Sequence, residues 1–185
     1  MSDSFDLTVT ERSVDIARYD DPAFLVDGML GTLATKLRIL GFDTLYDKTS
    51  NDNTLLKIAF ETKRYLLTSD IELFVLSRRK GMRSILITSR DDLSSLVELF
   101  VKLGFPRIEP RRTSRCSVCN GILKESRTTT RDGKDIYTCV VCNKNYWKGS
   151  HWKKLEALFA LANSKLAAAR IEGSKKGGPK AIESK

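Results

Sequence analysis

Several aspartates stand just beyond short apolar runs: Asp27 after Phe24-Leu-Val, Asp47 after Thr44-Leu-Tyr, Asp70 shortly after Tyr65-Leu-Leu-Thr, and Asp91-Asp92 after Ile85-Leu-Ile. Asp52 heads the apolar-periodic stretch that follows Ser50-Asn51. If the apolar runs are parallel strands, these acids gather at one sheet edge although they are far apart in the chain. Gathered carboxylates offer oxygen ligands to Mg²⁺ or Mn²⁺, and such a cation orients water and stabilises charge on a phosphodiester. Aspartate also favours helix N-caps and turns. Taken singly, Asp47, Asp91 and Asp92 fit that second role. Asp27 fits it less well, because it ends a strongly apolar strand and runs into Gly28-Met-Leu-Gly31. Those two glycines match neither the dinucleotide fingerprint nor the P-loop spacing.

A second cluster is built from sulfur. Cys116-Ser-Val-Cys119 and Cys139-Val-Val-Cys142 are separated by nineteen residues and contain all four cysteines of the chain. Two C-x₂-C knuckles at this separation place four thiolates tetrahedrally around one Zn²⁺, and four cysteines leave no open position for catalysis. The alternative, two disulfides, requires an oxidising compartment. Around the knuckles lie Arg111, Arg112, Arg115, Lys124, Arg127, Arg131, Lys134 and Lys144, then Tyr146-Trp-Lys-Gly-Ser-His-Trp152. Cations interleaved with aromatics contact phosphates and stack bases. The exposed cations read as RNA contacts, whereas Trp147 and Trp152 read as residues that dock the ribbon on its neighbour. His151, the only histidine, reads as a helix-start residue.

The elements that must position these groups follow from hydrophobic periodicity. Phe24-Leu-Val, Thr44-Leu-Tyr, Tyr65-Leu-Leu-Thr and Ile85-Leu-Ile alternate with helical stripes such as Leu30, Leu33, Ala34, Leu37 and Leu40. The order βαβαβαβα with apolar strands predicts an α/β domain, its parallel sheet covered by helices on both faces. Pro106 and Pro110 end that pattern. The segments expected are an N-terminal extension at 1–22, the α/β domain at 23–108, a zinc ribbon at 109–158, and a helix end with a flexible basic tail at 159–185.

Charge divides the chain in the same way. Residues 1–110 carry 15 Lys/Arg against 17 Asp/Glu, while residues 111–154 carry 11 against 3. A basic surface neutralises phosphates and releases their counterions, so nucleic acid is the first partner to consider. No apolar run approaches the roughly 20 residues that cross a bilayer, and the first twenty residues lack a signal peptide's basic and hydrophobic regions. A cytoplasmic address is expected.

Phe24-Leu-Val-Asp-Gly-Met-Leu-Gly-Thr-Leu-Ala, Leu37-Arg-Ile-Leu-Gly-Phe-Asp-Thr, Leu66-Leu-Thr-Ser-Asp70, Ser114-Arg-Cys-Ser-Val-Cys-Asn120 and Tyr146-Trp-Lys-Gly-Ser-His-Trp152 together resemble the Mut7-C RNase family. The resemblance covers about residues 23–158. It implies a PIN-like fold with a zinc ribbon, in which Asp27, Asp52 and Asp70 match the acidic positions that hold Mg²⁺ or Mn²⁺, with Asp91 or Asp92 as a fourth. Ser69, Ile71 and Thr35 stand where the family often carries basic residues. The function implied is a metal-dependent endoribonuclease whose ribbon, through Arg111, Arg112, Arg115, Lys124, Arg127 and Arg131, helps to hold RNA. The alternatives are a non-catalytic RNA- or ribosome-binding protein and a ribbon that docks another protein.

Overall fold

A computed structural model describes residues 21–176. Most of the expected N-terminal extension and the end of the tail lie outside these residues. Four strands, β1 (Phe24–Val26), β2 (Thr44–Tyr46), β3 (Tyr65–Thr68) and β4 (Ser84–Leu86), form one parallel sheet in the order β2-β1-β3-β4. Between and after them run α1 (Gly31–Ile39), α2 (Asp52–Thr62), α3 (Ile71–Arg79) and α4 (Asp92–Leu103). β4 begins one residue earlier than its apolar run predicts. Ile87 nevertheless stays buried, and its N–H still bonds the Thr68 carbonyl, so only the terminal residue differs.

Alternate side chains of each strand point to opposite faces. Phe24, Val26 and Leu67 therefore meet α1 and α4 on one side, through Leu33, Leu37, Leu96 and Phe100. Leu25 and Leu66 meet α2 and α3 on the other, through Leu55, Leu56, Ala59 and Leu73. Both faces are covered, as expected. Left-handed glycines close two of the helices, Gly41 at φ 96° after α1 and Gly104 at φ 75° after α4.

Beyond residue 110, β5 (Leu123–Thr129), β6 (Asp135–Cys139) and β7 (Asn145–Trp147) form an antiparallel sheet, and α5 (Ser150–Lys176) follows. The hairpin turns at Asp132-Gly133, where Gly133 has φ 75°. The last helix departs from the sequence reading. It extends through residues 173–176, which composition assigned to a flexible tail. Phe159, Ala162 and Leu166 are buried in the same core as Phe24 and Phe100. The Asn163 amide also exchanges two hydrogen bonds, both 2.8 Å, with the backbone of Ile108. The chain thus leaves the α/β core, builds the ribbon, and returns to complete one face.

Candidate functional site

β1 connects to β2 on one side of the sheet, while β3 connects to β4 on the other. The carboxyl ends of β1 and β3 therefore border the point where the winding reverses, which is where ligands bind in open α/β sheets. Asp27 and Asp70 both stand there. The register that pairs Val26 with Leu67 sets Thr68 beside Asp27, and the Thr68 hydroxyl donates to Asp27 Oδ2 at 2.7 Å. The same hydroxyl accepts from the Asp70 N–H at 3.0 Å. One buried threonine thus ties the two acidic positions together. Sequence reasoning assigned it no role, although a hydroxyl two residues before an acid at a strand's end was a usable signal.

The two carboxylates differ in what they already hold. Asp70 caps α3, its Oδ1 accepting from Glu72 and Leu73 N–H at 2.7 and 3.1 Å. Asp27 precedes a short 3-10 turn (Gly28–Leu30) but makes no side-chain cap. Among the described residues, Asp27 Oδ1 and Asp70 Oδ2 accept no hydrogen bond, which leaves one oxygen of each for a ligand. Gly28 and Gly31 have a steric reason to be glycine: a Cβ would lie 2.9 Å from the Lys48 carbonyl and 2.5 Å from Tyr46 Oη respectively. Close approach of the β2 end requires them, independently of any phosphate motif.

Of the remaining acids, Asp47, Asp91 and Asp92 serve other partners. Asp52 is exposed in the first turn of α2, behind the Asn51 cap. Asp91 caps α4 through Ser94 N–H at 2.9 Å, and Asp47 accepts from Thr49 and Ser50 in its own turn. These bonds hold both carboxyls below the usual aspartate range. Asp92 accepts from Lys36 Nζ at 2.7 Å and Thr32 Oγ1 at 2.6 Å, contacts that lower its pKa and link α4 to α1. Lys36 is buried, and a lysine on the apolar stripe of α1 signals such a partner. Among the described residues, no three carboxylates converge within coordinating reach.

The cysteines do converge. Their four sulfurs lie within 4.8 Å of one another, with Cys116–Cys142 at 3.6 Å and Cys119–Cys139 at 3.4 Å. A tetrahedron with Zn–S bonds of about 2.3 Å has edges of about 3.8 Å, so the cluster is close to the size zinc needs. Four close cysteines of this kind can hold a metal ion such as zinc. Burial pushes the Cys116 thiol up, but hydrogen bonds from Tyr146 Oη and from the Cys119 and Val118 N–H groups outweigh it and bring it down to about 6. A thiol poised toward thiolate suits a metal ligand.

The knuckle is fastened to the α/β core by polar groups. Arg38 of α1, which is 5% exposed, donates from Nη1 to the carbonyls of Ser117 and Val118 at 3.0 and 3.1 Å, and from Nε to Thr44 at 2.9 Å. Asn120 accepts from Thr44 N–H at 3.0 Å and donates to Asp43 at 2.7 Å. Docking by the tryptophans is thereby corrected. Trp147 is 54% exposed, and Trp152 donates to Glu156 within its own helix. His151 lies at the start of α5, as its position suggested.

The basic residues fall into two groups. Arg111 stacks over Phe42 at 3.9 Å and pairs with Asp21, while Arg115 donates to the Asn120 carbonyl at 3.1 Å. Arg112, Lys124, Arg127 and Arg131 are exposed, and no ion pair among the described residues engages them. Of the positions where the family often has basic residues, Ile71 is exposed, Ser69 lies against Met29, and the Thr35 hydroxyl donates to the Gly31 carbonyl.

A parallel α/β layer carrying acids at its switch point is thus joined to an antiparallel module with four clustered cysteines. The family model described as "Mut7-C RNAse domain" matches residues 22–159, and the chain belongs to that family. Comparison with curated proteins finds no match, and comparison with solved structures finds none. Family membership supports a ribonuclease-type function with RNA as substrate. No helix among the described residues is long and apolar enough to cross a membrane.

Proposed function

We propose that this chain is a PIN-like, metal-dependent endoribonuclease, with Asp27 and Asp70 at the catalytic edge and a zinc ribbon that holds RNA. The observation that carries the reading is the Thr68 hydroxyl, which links both acids at the carboxyl ends of adjacent strands. Two hard carboxylates fit Mg²⁺ or Mn²⁺, which bind through one or two acids together with substrate phosphates. Such an ion supplies Lewis-acid stabilisation to the phosphodiester. Asp27 and Asp70 would hold it through the oxygens they leave unused, with Thr68 fixing the Asp27 carboxylate. Asp52 and Asp91, exposed at neighbouring helix starts, would add negative charge to the same edge. The zinc in the ribbon is structural, and Arg112, Lys124, Arg127 and Arg131 provide phosphate contacts.

Cleavage of mixed-sequence RNA, assayed with Mn²⁺ and with EDTA, tests this reading. Asp27→Asn, a nearly isosteric change, is expected to keep the fold and RNA binding and to abolish cleavage. Wild-type protein that cuts no RNA in Mn²⁺, or an Asp27→Asn protein as active as wild type, refutes the assignment. One observation favours a second reading, that of a non-catalytic RNA-binding protein: only two of the acids are linked, and no third carboxylate comes within coordinating reach among the described residues.

A further inference from the structure

The Tyr146–Trp152 motif puts an indole where the nuclease edge has no use for it. Strand register sorts the ribbon's side chains by face. Tyr137 pairs with Tyr146, and Tyr146 Oη reaches Cys116 Sγ at 3.0 Å, so that face looks toward the metal cluster. Ile136 pairs with Trp147, and Thr138 pairs with both Asn145 and Lys124. Because residues two apart on a strand share a face, Lys124, Asn145 and Trp147 stand together on the face turned away from the cysteines. All three are exposed.

The indole on that face is held in place. A Cβ at Gly149 would lie 3.1 Å from Trp147 Nε1 and 3.4 Å from Cδ1, so the backbone at Gly149 abuts one edge of the ring. The Gly149 N–H also bonds the Trp147 carbonyl at 3.0 Å, which closes the chain against its own tryptophan. More than half of Trp147 stays exposed even so. A large apolar ring left in water and braced along one edge shares its sheet face with a lysine and an amide, and no hydrogen bond or ring contact engages it among the described residues. Charge selects the partner: residues 111–154 carry 11 Lys/Arg against 3 Asp/Glu.

We infer that the outer face of the ribbon is a single-strand platform, on which Trp147 stacks an unpaired RNA base while Lys124 contacts the adjoining phosphates. Every base offers a π-face, so the platform grips unpaired RNA with little regard to sequence. In a duplex the bases are stacked on one another and unavailable to the indole. This inference rests on the RNA-binding part of the function proposed above.

The test uses the full chain and a 12-nucleotide single-stranded RNA of mixed sequence, beside a hairpin RNA of matched length. In a Trp152→Phe background the only indole left is Trp147, so its emission should be quenched as the single strand saturates the protein. Trp147→Ala should weaken single-strand binding about tenfold or more, and Trp147→Phe should recover most of it. The log-log salt slope of Trp147→Ala should equal that of wild type, because no cation is removed, whereas Lys124→Ala should flatten it. Gly149→Val should weaken binding with Trp147 still present. Zinc content confirms that each variant keeps its ribbon. If Trp147→Ala binds within twofold of wild type, or Trp147 emission is unchanged at saturation, the platform is wrong and the nuclease reading stands. If wild type binds neither RNA, both fall.

Discussion

Arg38 Nη1 donates to the Ser117 carbonyl at 3.0 Å, across seventy-nine positions of sequence, and so fastens the first cysteine knuckle to the α/β core. The guanidinium is buried, and desolvation lowers its pKa while the Cys116 and Cys119 sulfurs oppose that shift. Four thiolates around Zn²⁺ leave a formal charge of about −2, which a buried cation beside the knuckle offsets. Arg38 is thus both a hydrogen-bond fork and a counter-charge.

Replacing it separates those roles. Arg38→Leu should destabilise the protein by about 2–4 kcal/mol, since carbonyls of Thr44, Ser117 and Val118 lose a charged donor in a buried setting. Arg38→Lys should recover only part of this, because an ammonium cannot make the fork. Thermal unfolding and the rate of zinc release to a chelator measure the two effects. Unchanged zinc release in Arg38→Leu would contradict the anchoring role.

One tightly held zinc per chain is expected when the protein is purified without added metal. Cys116→Ser combined with Cys139→Ser removes a ligand from each knuckle and should lose the zinc together with the ribbon's order. Because the ligands must be deprotonated, affinity should also fall on acidification. Elemental analysis of the wild type and the double variant decides it, and stoichiometric zinc in the variant would reject the site.

Much of this architecture was legible because it is written locally. Strands β1 to β4 announce themselves as short apolar runs, Gly41 and Gly104 as left-handed stops, and the C-x₂-C pairs by spacing alone. The acids were harder to read, since an aspartate at a helix start looks the same whether it caps, as Asp91 does, or keeps an oxygen unused, as Asp27 does. Only the register between β1 and β3 separates the cases. Trp147 was misread for a related reason: the type of an aromatic does not say which of two sheet faces it occupies. Arg38 and Asn120 could not be picked out as anchors, because the contacts that define them lie seventy-six or more positions away.

The same limit concealed the role of α5. Leu155, Phe159, Ala162 and Leu166 recur at helical spacing, yet nothing local says that their stripe returns to the first domain. Its burial predicts a large effect. Phe159→Ala should cost about 3–5 kcal/mol by leaving a cavity in the core it shares with Phe100, and a chain ending at residue 149 should not fold cooperatively. Urea unfolding measures the first and tryptic resistance the second. A truncated chain as resistant as the whole would show that α5 is dispensable to the core. RNA-binding studies should accordingly use point variants, because deleting the C-terminal part also strips the core.

A last prediction concerns the loop that leads to Asp91. Glu98 on α4 accepts from the Thr88 and Ser89 N–H groups at 2.9 to 3.1 Å, from the Thr88 hydroxyl at 3.0 Å, and from Lys102 Nζ at 2.5 Å. Burial pushes this carboxyl up, but those donors outweigh it and hold it down at about 2, below the ordinary 4.5. A depressed folded pKa means that the ionised form stabilises the fold. Its contribution is complete above about pH 4.5 and is lost as pH falls through about 2. Other acids titrate in the same window, so the difference between wild type and Glu98→Gln is the quantity to follow. At pH 7 the variant should be less stable by about 1 kcal/mol, because an amide presents a single uncharged acceptor and loses Lys102. Between pH 4.5 and 2 that gap should close, since protonation makes the wild-type side chain as neutral as the amide. Unfolding in urea at a series of pH values measures the gap. A difference that stays constant down to pH 2 would mean that Glu98 acts by shape alone, without the charged bonds that hold residues 88–89 against α4.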